Sequence, residues 1–341
     1  MTHDVDFHPA SPAERRAAFA NMHDVWSRGL PLEEHLAWLE NSISHARAQY
    51  FVGVRSGQVV CALGAYPLQF IVDGAAVTAM AIGSVHTRPD QRGQGLAPAL
   101  LRWVHERQRA TAGVRASVLY SDINPAFYER LGYQHCSSWR MASPGDAQAA
   151  PSTGSRRADS PPGEHESAAR HSAVDRAAWQ LVRFDPAAAG EGDKAIEAMA
   201  AMYEADHGAR PLSIVRPLEY WRHQLAKQPD DEFYWLTNGD QRHGYVRLMR
   251  RGDDLVLADC ALLGDRERLE AALYACLLRM VASRQVAGLS GWVPPSPAAR
   301  AALAIEPRSR EIVMVASLDE RLVLGEAHLA AAGYFTYIDH V

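Results

Sequence analysis

The stretch Arg92-Gly93-Gln94-Gly95-Leu96-Ala97 sets a fixed cation and two glycines directly before an apolar helical pattern. A helix N-terminus carries unpaired backbone N–H groups and a partial positive charge, so this order of residues suits a phosphate or pyrophosphate group. Gly93 and Gly95 let oxygen atoms approach the backbone with no Cβ in the way, and Arg92 adds charge. The string reads R-x-x-G-x-A. It is neither the G-x-G-x-x-G fingerprint of dinucleotide folds nor a P-loop with its G-K-[ST] ending. A glycine turn that merely starts a helix would look the same over six residues, so the flanking elements decide between the two.

Those elements follow from periodicity and turn chemistry. Residues 12–47 read as helical, with Leu36, Trp38, Leu39 and Ile43 on one side. Residues 49–87 read as a strand meander turning at "RSGQ" and at "VDGA", where Asp73-Gly74 is a strong hairpin signal. The glycine string comes next, then a helix to about Arg109 with Leu96, Leu100, Leu101 and Val104 aligned. A strand "VRASVLYS", a short helix "NPAFYERLG" stopped by Gly132, and a last strand "YQHCSSWRM" complete the first half.

In this setting the string resembles the acetyl-CoA motif of the GNAT superfamily of N-acetyltransferases, and residues 50–140 carry the resemblance. The strand "IGSVHTRPD" is similar to the family's central strand. "NPAFYERLGY" is similar to its second motif, with compressed spacing. The resemblance implies acetyl-CoA as co-substrate, without a metal. It assigns contacts with it to Val85, His86 and Thr87 on the strand, to Arg92, Gly93, Gln94, Gly95, Leu96 and Ala97 in the loop, and to Asn124. Tyr128 would lie near the sulfur as the general acid; as a bare sequence feature it could equally be a core aromatic. The chemistry implied is amine acylation. A lysine-like ammonium has a pKa of about 10.4, so roughly one molecule in two thousand is neutral at pH 7. The site therefore needs a base or a desolvating pocket, a stabiliser for the carbonyl oxygen and a proton donor for the leaving thiolate.

The second half repeats the order of elements without repeating the residues. Strands "EFYWL", "HGYVRLMR" and "DLVLADCAL" precede a helix from about Arg266 to Arg284, then "GLSGWV", the helix "SPAARAAL" and the strand "EIVMVASL". The expected fold is α/β (α+β), two tandem GNAT-like domains, each a mixed, mostly antiparallel sheet flanked by helices. Residues 1–142 would be the acetyl-CoA-binding catalytic domain. Residues 143–172, rich in Pro, Gly, Ser and Ala, would be a flexible linker. Residues 173–341 would be a degenerate copy that helps to form the acceptor pocket. Its loop "ALLGDRERLE" has one glycine, Gly264, and the acids Asp265, Glu267 and Glu270, which would repel a pyrophosphate.

An active copy followed by a degenerate one resembles the Eis-type tandem acetyltransferases, in which the C-terminal carboxylate is the base. That assigns the role to Val341, with Asp339 and His340 as rivals, and reads "YFTYIDHV" as a strand-like run. A softer similarity to fungal lysine N6-acetyltransferases favours a small amine acceptor such as free lysine; an exposed protein lysine is the other candidate. Trp26, Trp38, Tyr220 and Trp221 would either wall that pocket or belong to the core. A non-catalytic acyl-CoA-binding sensor is the alternative function.

The bulk numbers agree with a globular enzyme. The 341 residues are 48% hydrophobic and 22% charged, with a net charge of −5 that argues against non-specific nucleic-acid binding. Four separated cysteines read as reduced thiols, and the fifteen histidines fall into no ligand motif. With no signal peptide and no apolar run of membrane length, the expected location is cytoplasmic. A homo-oligomer stays open.

Overall fold

The computed structural model describes residues 4–143, 178–188 and 190–340. The expected linker 143–172 therefore lies outside the described residues apart from Ser143, and Val341 lies outside them too.

The chain opens with β1 (Asp6–Pro9) and four short helices, α1 (Pro12–Asn21), α2 (His23–Trp26), α3 (Leu32–Glu40) and α4 (Ile43–Arg47). A capping box starts α1: Ser11 Oγ accepts from the Glu14 amide while the Glu14 carboxylate accepts from the Ser11 amide. The meander is β2 (Gln49–Arg55), β3 (Gln58–Val72) and β4 (Ala75–Thr87). Asp73 and Gly74 both have positive φ, the geometry of a tight hairpin matched to strand twist. Then come α5 (Leu96–Ala112), β5 (Ala116–Ser121), α6 (Ala126–Glu129), β6 (Gln134–His135) and β7 (Trp139–Ala142). The second half holds β8 (Trp179–Phe184), α7 (Gly192–His207), β9 (Leu212–Ile214), α8 (Leu218–Lys227), β10 (Glu232–Asn238), β11 (Gln241–Arg251) and β12 (Asp254–Leu262). It ends with α9 (Arg266–Arg284), β13 (Leu289–Gly291), α10 (Pro297–Ala302), β14 (Ala304–Pro307), β15 (Ile312–Ser317) and α11 (Glu326–Ala331).

Two sheets result. The first has the order β1-β2-β3-β4-β5-β15-β6, with β9 against the far end of β3; the second runs β14-β7-β13-β12-β11-β10-β8. Every pairing is antiparallel except β4 with β5 and β12 with β13. This is the expected mixed, mostly antiparallel tandem arrangement, with one correction. The strands read as closing each half on itself are exchanged. Trp139–Ala142 pairs with β13 and β14 of the second sheet, and Ile312–Ser317 inserts between β5 and β6 of the first. Both are short apolar runs that fit either sheet, so periodicity alone does not choose.

Helix α5 covers one face of the first sheet, burying the aligned Leu96, Leu100, Leu101 and Val104 against Leu63, Ile82 and Leu119. Its buried His105 accepts or donates at 3.0 Å with the Tyr133 hydroxyl, which lies 2.7 Å from Ser117 of β5. The opposite face packs on α1 and α3 through Phe19, Leu36 and Leu39, and further along on Leu322, Leu324 and Phe335 from the chain's end.

Candidate active site

The site begins where two parallel strands part. Register between β4 and β5 runs from Ala79–Ala116 to Ile82–Leu119 and stops there, although β4 continues to Thr87. Ligands in open sheets with parallel strands settle outside such carboxyl ends. On its other side, β4 bulges: Ser84 and Val85 oppose the single Leu63, and Ser84 has φ +53°. Val85 thus has no one-to-one register partner on β3 and lies beyond the last pair with β5, next to the opening. Its side chain packs into the cluster that also holds Ile82, Leu119, Leu96 and Tyr128.

The glycine string follows directly. Pro89–Gln91 forms a 3₁₀ turn, and Gly93 and Gly95 take φ +78° and +73°. Gly95 is the N-cap of α5 and leaves that helix end without a side-chain cap. A Cβ on either glycine would meet nothing within 4 Å, so both face open space. A seventeen-residue helix with bare N–H groups behind an open glycine cradle fits a pyrophosphate. Arg92 is exposed, with Nε donating to the Thr87 carbonyl at 3.2 Å. Gln94 is exposed, Leu96 is buried in the core as an anchor, and Ala97 is half-buried. Arg55 at the end of β2 also reaches the loop. Its Nη1 donates to both Gln91 and Gln94 at 2.8 Å, which ties the loop to β2. An arginine at a strand end gives no sequence signal for such a role.

His86 sits on the face opposite α5: its ring is buried, edge-on to Trp26 at 6.1 Å, and its Nε2 has no partner among the described residues. Only its backbone lies along the cleft strand. Asn124 is exposed, and its carbonyl oxygen accepts from the Ala126 amide at 3.0 Å, so it also starts α6. Tyr128 is buried at the edge of the α5 cluster, edge-on to Phe127 and Tyr133, and its hydroxyl has no hydrogen bond among the described residues. Burial, reinforced by nearby Asp122, pushes its pKa up to about 12, which keeps the phenol protonated.

On the other face of the sheet, a hydrogen-bonded chain reaches the bulge. The Tyr50 hydroxyl lies 3.4 Å from Ser84 Oγ and 2.7 Å from His45 Nδ1, and the Tyr66 hydroxyl lies 3.2 Å from that nitrogen. Burial, then Arg15 and Lys227, push His45 down to about 4, so it is neutral at pH 7.

The chain's end comes to the same face, but not as a strand. Residues 332–339 form two 3₁₀ turns instead, Ala332–Tyr334 and Tyr337–Asp339. Of the rival bases, Asp339 is buried and held. Arg216 donates to both its oxygens at 3.0 and 2.6 Å, and the Tyr220 hydroxyl and Thr336 amide donate at 2.8 and 3.0 Å. Such a carboxylate has no free lone pair to offer. His340 is half-buried, its ring 5.0 Å from that of Tyr120 and edge-on to it. Burial, then Lys227, push it down to about 4. Trp26 and Trp38 are partly exposed, whereas Tyr220 and Trp221 are buried.

The second sheet repeats the parting of parallel strands: β12 continues to Leu262 beyond its last pairing with β13, at Leu257–Gly291. Its helix end differs. Asp265 caps α9 by accepting from the Arg268 amide at 3.3 Å, so a carboxylate already stands where a phosphate would have to bind. Among the described residues no three His, Cys, Asp or Glu side chains form a metal-holding group, and no helix is long and apolar enough to cross a membrane.

Residues 6–136 match the acetyltransferase (GNAT) domain family. No curated protein matches the chain by sequence. Among solved structures, a probable N-acyltransferase of unknown function from Enterococcus faecalis V583 is 14% identical. That match covers 96% of this chain and 74% of its own, with a TM-score of 0.63. Eis1 from Mycobacterium abscessus is 19% identical over 92% of this chain and 74% of its own, with a TM-score of 0.54. A tandem GNAT protein from the clavulanic acid biosynthesis pathway is 14% identical over 92% and 99%, with a TM-score of 0.52. The chain thus carries an acetyltransferase domain of the GNAT family over residues 6–136, within the fold of tandem GNAT proteins.

Proposed function

We propose that the protein is an acetyl-CoA-dependent N-acetyltransferase with one active site per chain, transferring an acetyl group to a primary amine. The observation that carries this reading is the uncapped N-terminus of α5 behind Gly93 and Gly95, set at the mouth of the β4–β5 opening. Acetyl-CoA supplies an activated thioester acyl group when bound. The residues that would hold it are the backbone of Val85, His86 and Thr87, the loop from Arg92 to Ala97, and Asn124. In this reading the Val85 amide at the bulge would donate to the carbonyl oxygen.

In this reading Tyr128 Oη holds the proton that the leaving sulfur takes, and its raised pKa suits a donor that must not ionise at rest. The ammonium proton of the acceptor goes to the C-terminal carboxylate of Val341. Its neighbour His340 packs on Tyr120, one residue beyond the last β4–β5 pair, and that proximity supports the assignment. Asp339 is set aside by its bonds to Arg216. Capping of α9 by Asp265 supports a single cofactor site per chain. Free thiol released from acetyl-CoA across a panel of primary amines tests the reading: amine-dependent release is expected, and acetyl-CoA binding without release would point to the non-catalytic alternative.

A further inference from the structure

A pocket opens on the face of the first sheet opposite α5, between the two halves of the chain. Tyr66 of β3 lines it, with Arg47 at the end of α4, His223, Gln224 and Lys227 on α8, and His340. Two connections set it beside the reacting centre. Tyr66 joins, through His45 and Tyr50, to Ser84 at the bulge, and His340 lies against Tyr120 at the end of the β4–β5 pairing. The pocket and the glycine cradle therefore approach the strand opening from opposite faces, as the acceptor and donor of a direct transfer must.

Its chemistry is specific. Neither Arg47 nor Lys227 has a carboxylate partner among the described residues, and Lys227 donates only to the His340 carbonyl, at 3.4 Å. Both cations act on His223, which burial first, then Arg47 and Lys227, lower to about 4. The acidic side chain on the described lining, Asp339, has both oxygens engaged by Arg216, Tyr220 and Thr336, so among the described residues no free side-chain carboxylate faces the pocket. Gln224 is 5% exposed. Its Nε2 donates to the Ile338 carbonyl at 2.8 Å, while its Oε1 is buried with no donor among the described residues. A buried acceptor left without a donor is costly, so this oxygen calls for an N–H from a bound molecule.

We propose that this pocket binds the carboxylate end of the acceptor through Arg47 and Lys227, with Gln224 Oε1 taking an N–H donor, so that the substrate class is amines that carry a carboxylate. Aligned with that class, a polyamine or polycationic sugar meets two like charges at short range and is disfavoured. This rests on the acetyl-transfer reading and narrows it to amino-acid-like acceptors.

The test compares amines that differ only in the carboxylate: 6-aminohexanoate against 1-aminohexane, and ornithine against putrescine. Thiol release should give kcat/KM at least about tenfold higher for the carboxylated member of each pair. Arg47→Ala and Lys227→Met should each remove most of that preference by raising the amino acid's KM, with the KM for acetyl-CoA unchanged. Hexanoate alone should raise the Tm of wild type and fail to raise that of Arg47→Ala, whose exposed side chain makes a folding defect a poor explanation. Equal or reversed preference within the pairs, or a preference that survives both substitutions, overturns the proposal. If no amine is acetylated, the acetyl-transfer reading fails, and hexanoate binding decides the pocket independently.

Discussion

At the scale of single residues, the proposed proton steps fall on two groups, Tyr128 and the Val341 carboxylate. Tyr128 is held in the α5 cluster with a protonated, unbonded hydroxyl. Tyr128→Phe should lower kcat by about 10²-fold or more while leaving the KM for acetyl-CoA near wild type, because the lost atom acts only in the proton transfer; wild-type turnover would remove Tyr128 from the role. A single residue appended after Val341 should reduce kcat in a similar way if its carboxylate is the base, and full activity would shift attention to the His45–Tyr50–Ser84 chain. The sequence made Tyr128 visible through its motif. It gave no hint of Arg55, Ser84 or His45, whose roles arise from a loop tie, a bulge and a buried hydrogen bond. Nor could it separate Asp339 from a free base, since its partner Arg216 lies 123 positions away.

At the scale of elements, the proposed reading gives acetyl-CoA binding to the α5 N-terminus, which its glycines would permit. Gly95 and Gly113 cap opposite ends of the same helix, both left-handed and both open on the Cβ side. Replacing either by Leu should cost a similar ~1–2 kcal/mol of stability from strain at positive φ. Only Gly95→Leu should also raise the KM for acetyl-CoA, by at least about tenfold; equal effects of the two substitutions would mean that the cradle is just a turn. Long, strongly periodic elements were legible: α5, the β2–β4 meander and α9 fall where alternation and helical spacing put them. The exchange of β7 and β15 was not, because strands of four and six residues carry no record of their partner. The chain's end misled for a similar reason, since its aromatics pack as 3₁₀ turns against Tyr120 and Trp292.

At the scale of the whole molecule, the two halves are joined by exchanged strands, while a buried ion-pair group in which Arg216 bridges Asp259 and Asp339 ties the chain's end to β12 within the second half. Four buried or half-buried histidines are held neutral in the fold. His45, His105, His223 and His340 are each lowered to about 4, in every case first by burial. A depressed folded pKa gives stability that is present above the unfolded value near 6.5 and lost as pH falls through about 4. The Tm should therefore hold near pH 7 and drop between pH 6.5 and 4; a flat Tm over that window would contradict the burial assigned to these rings. The central claim is that this fold, with its one uncapped and glycine-lined helix end, moves an acetyl group onto an amine. The most direct measurement is thiol release from acetyl-CoA, with mass analysis of the product, across primary amines with and without a carboxylate. The account predicts thiol release that depends on the amine, matched by one acetylated amine per thiol. Saturable acetyl-CoA binding with no amine-dependent thiol would contradict it.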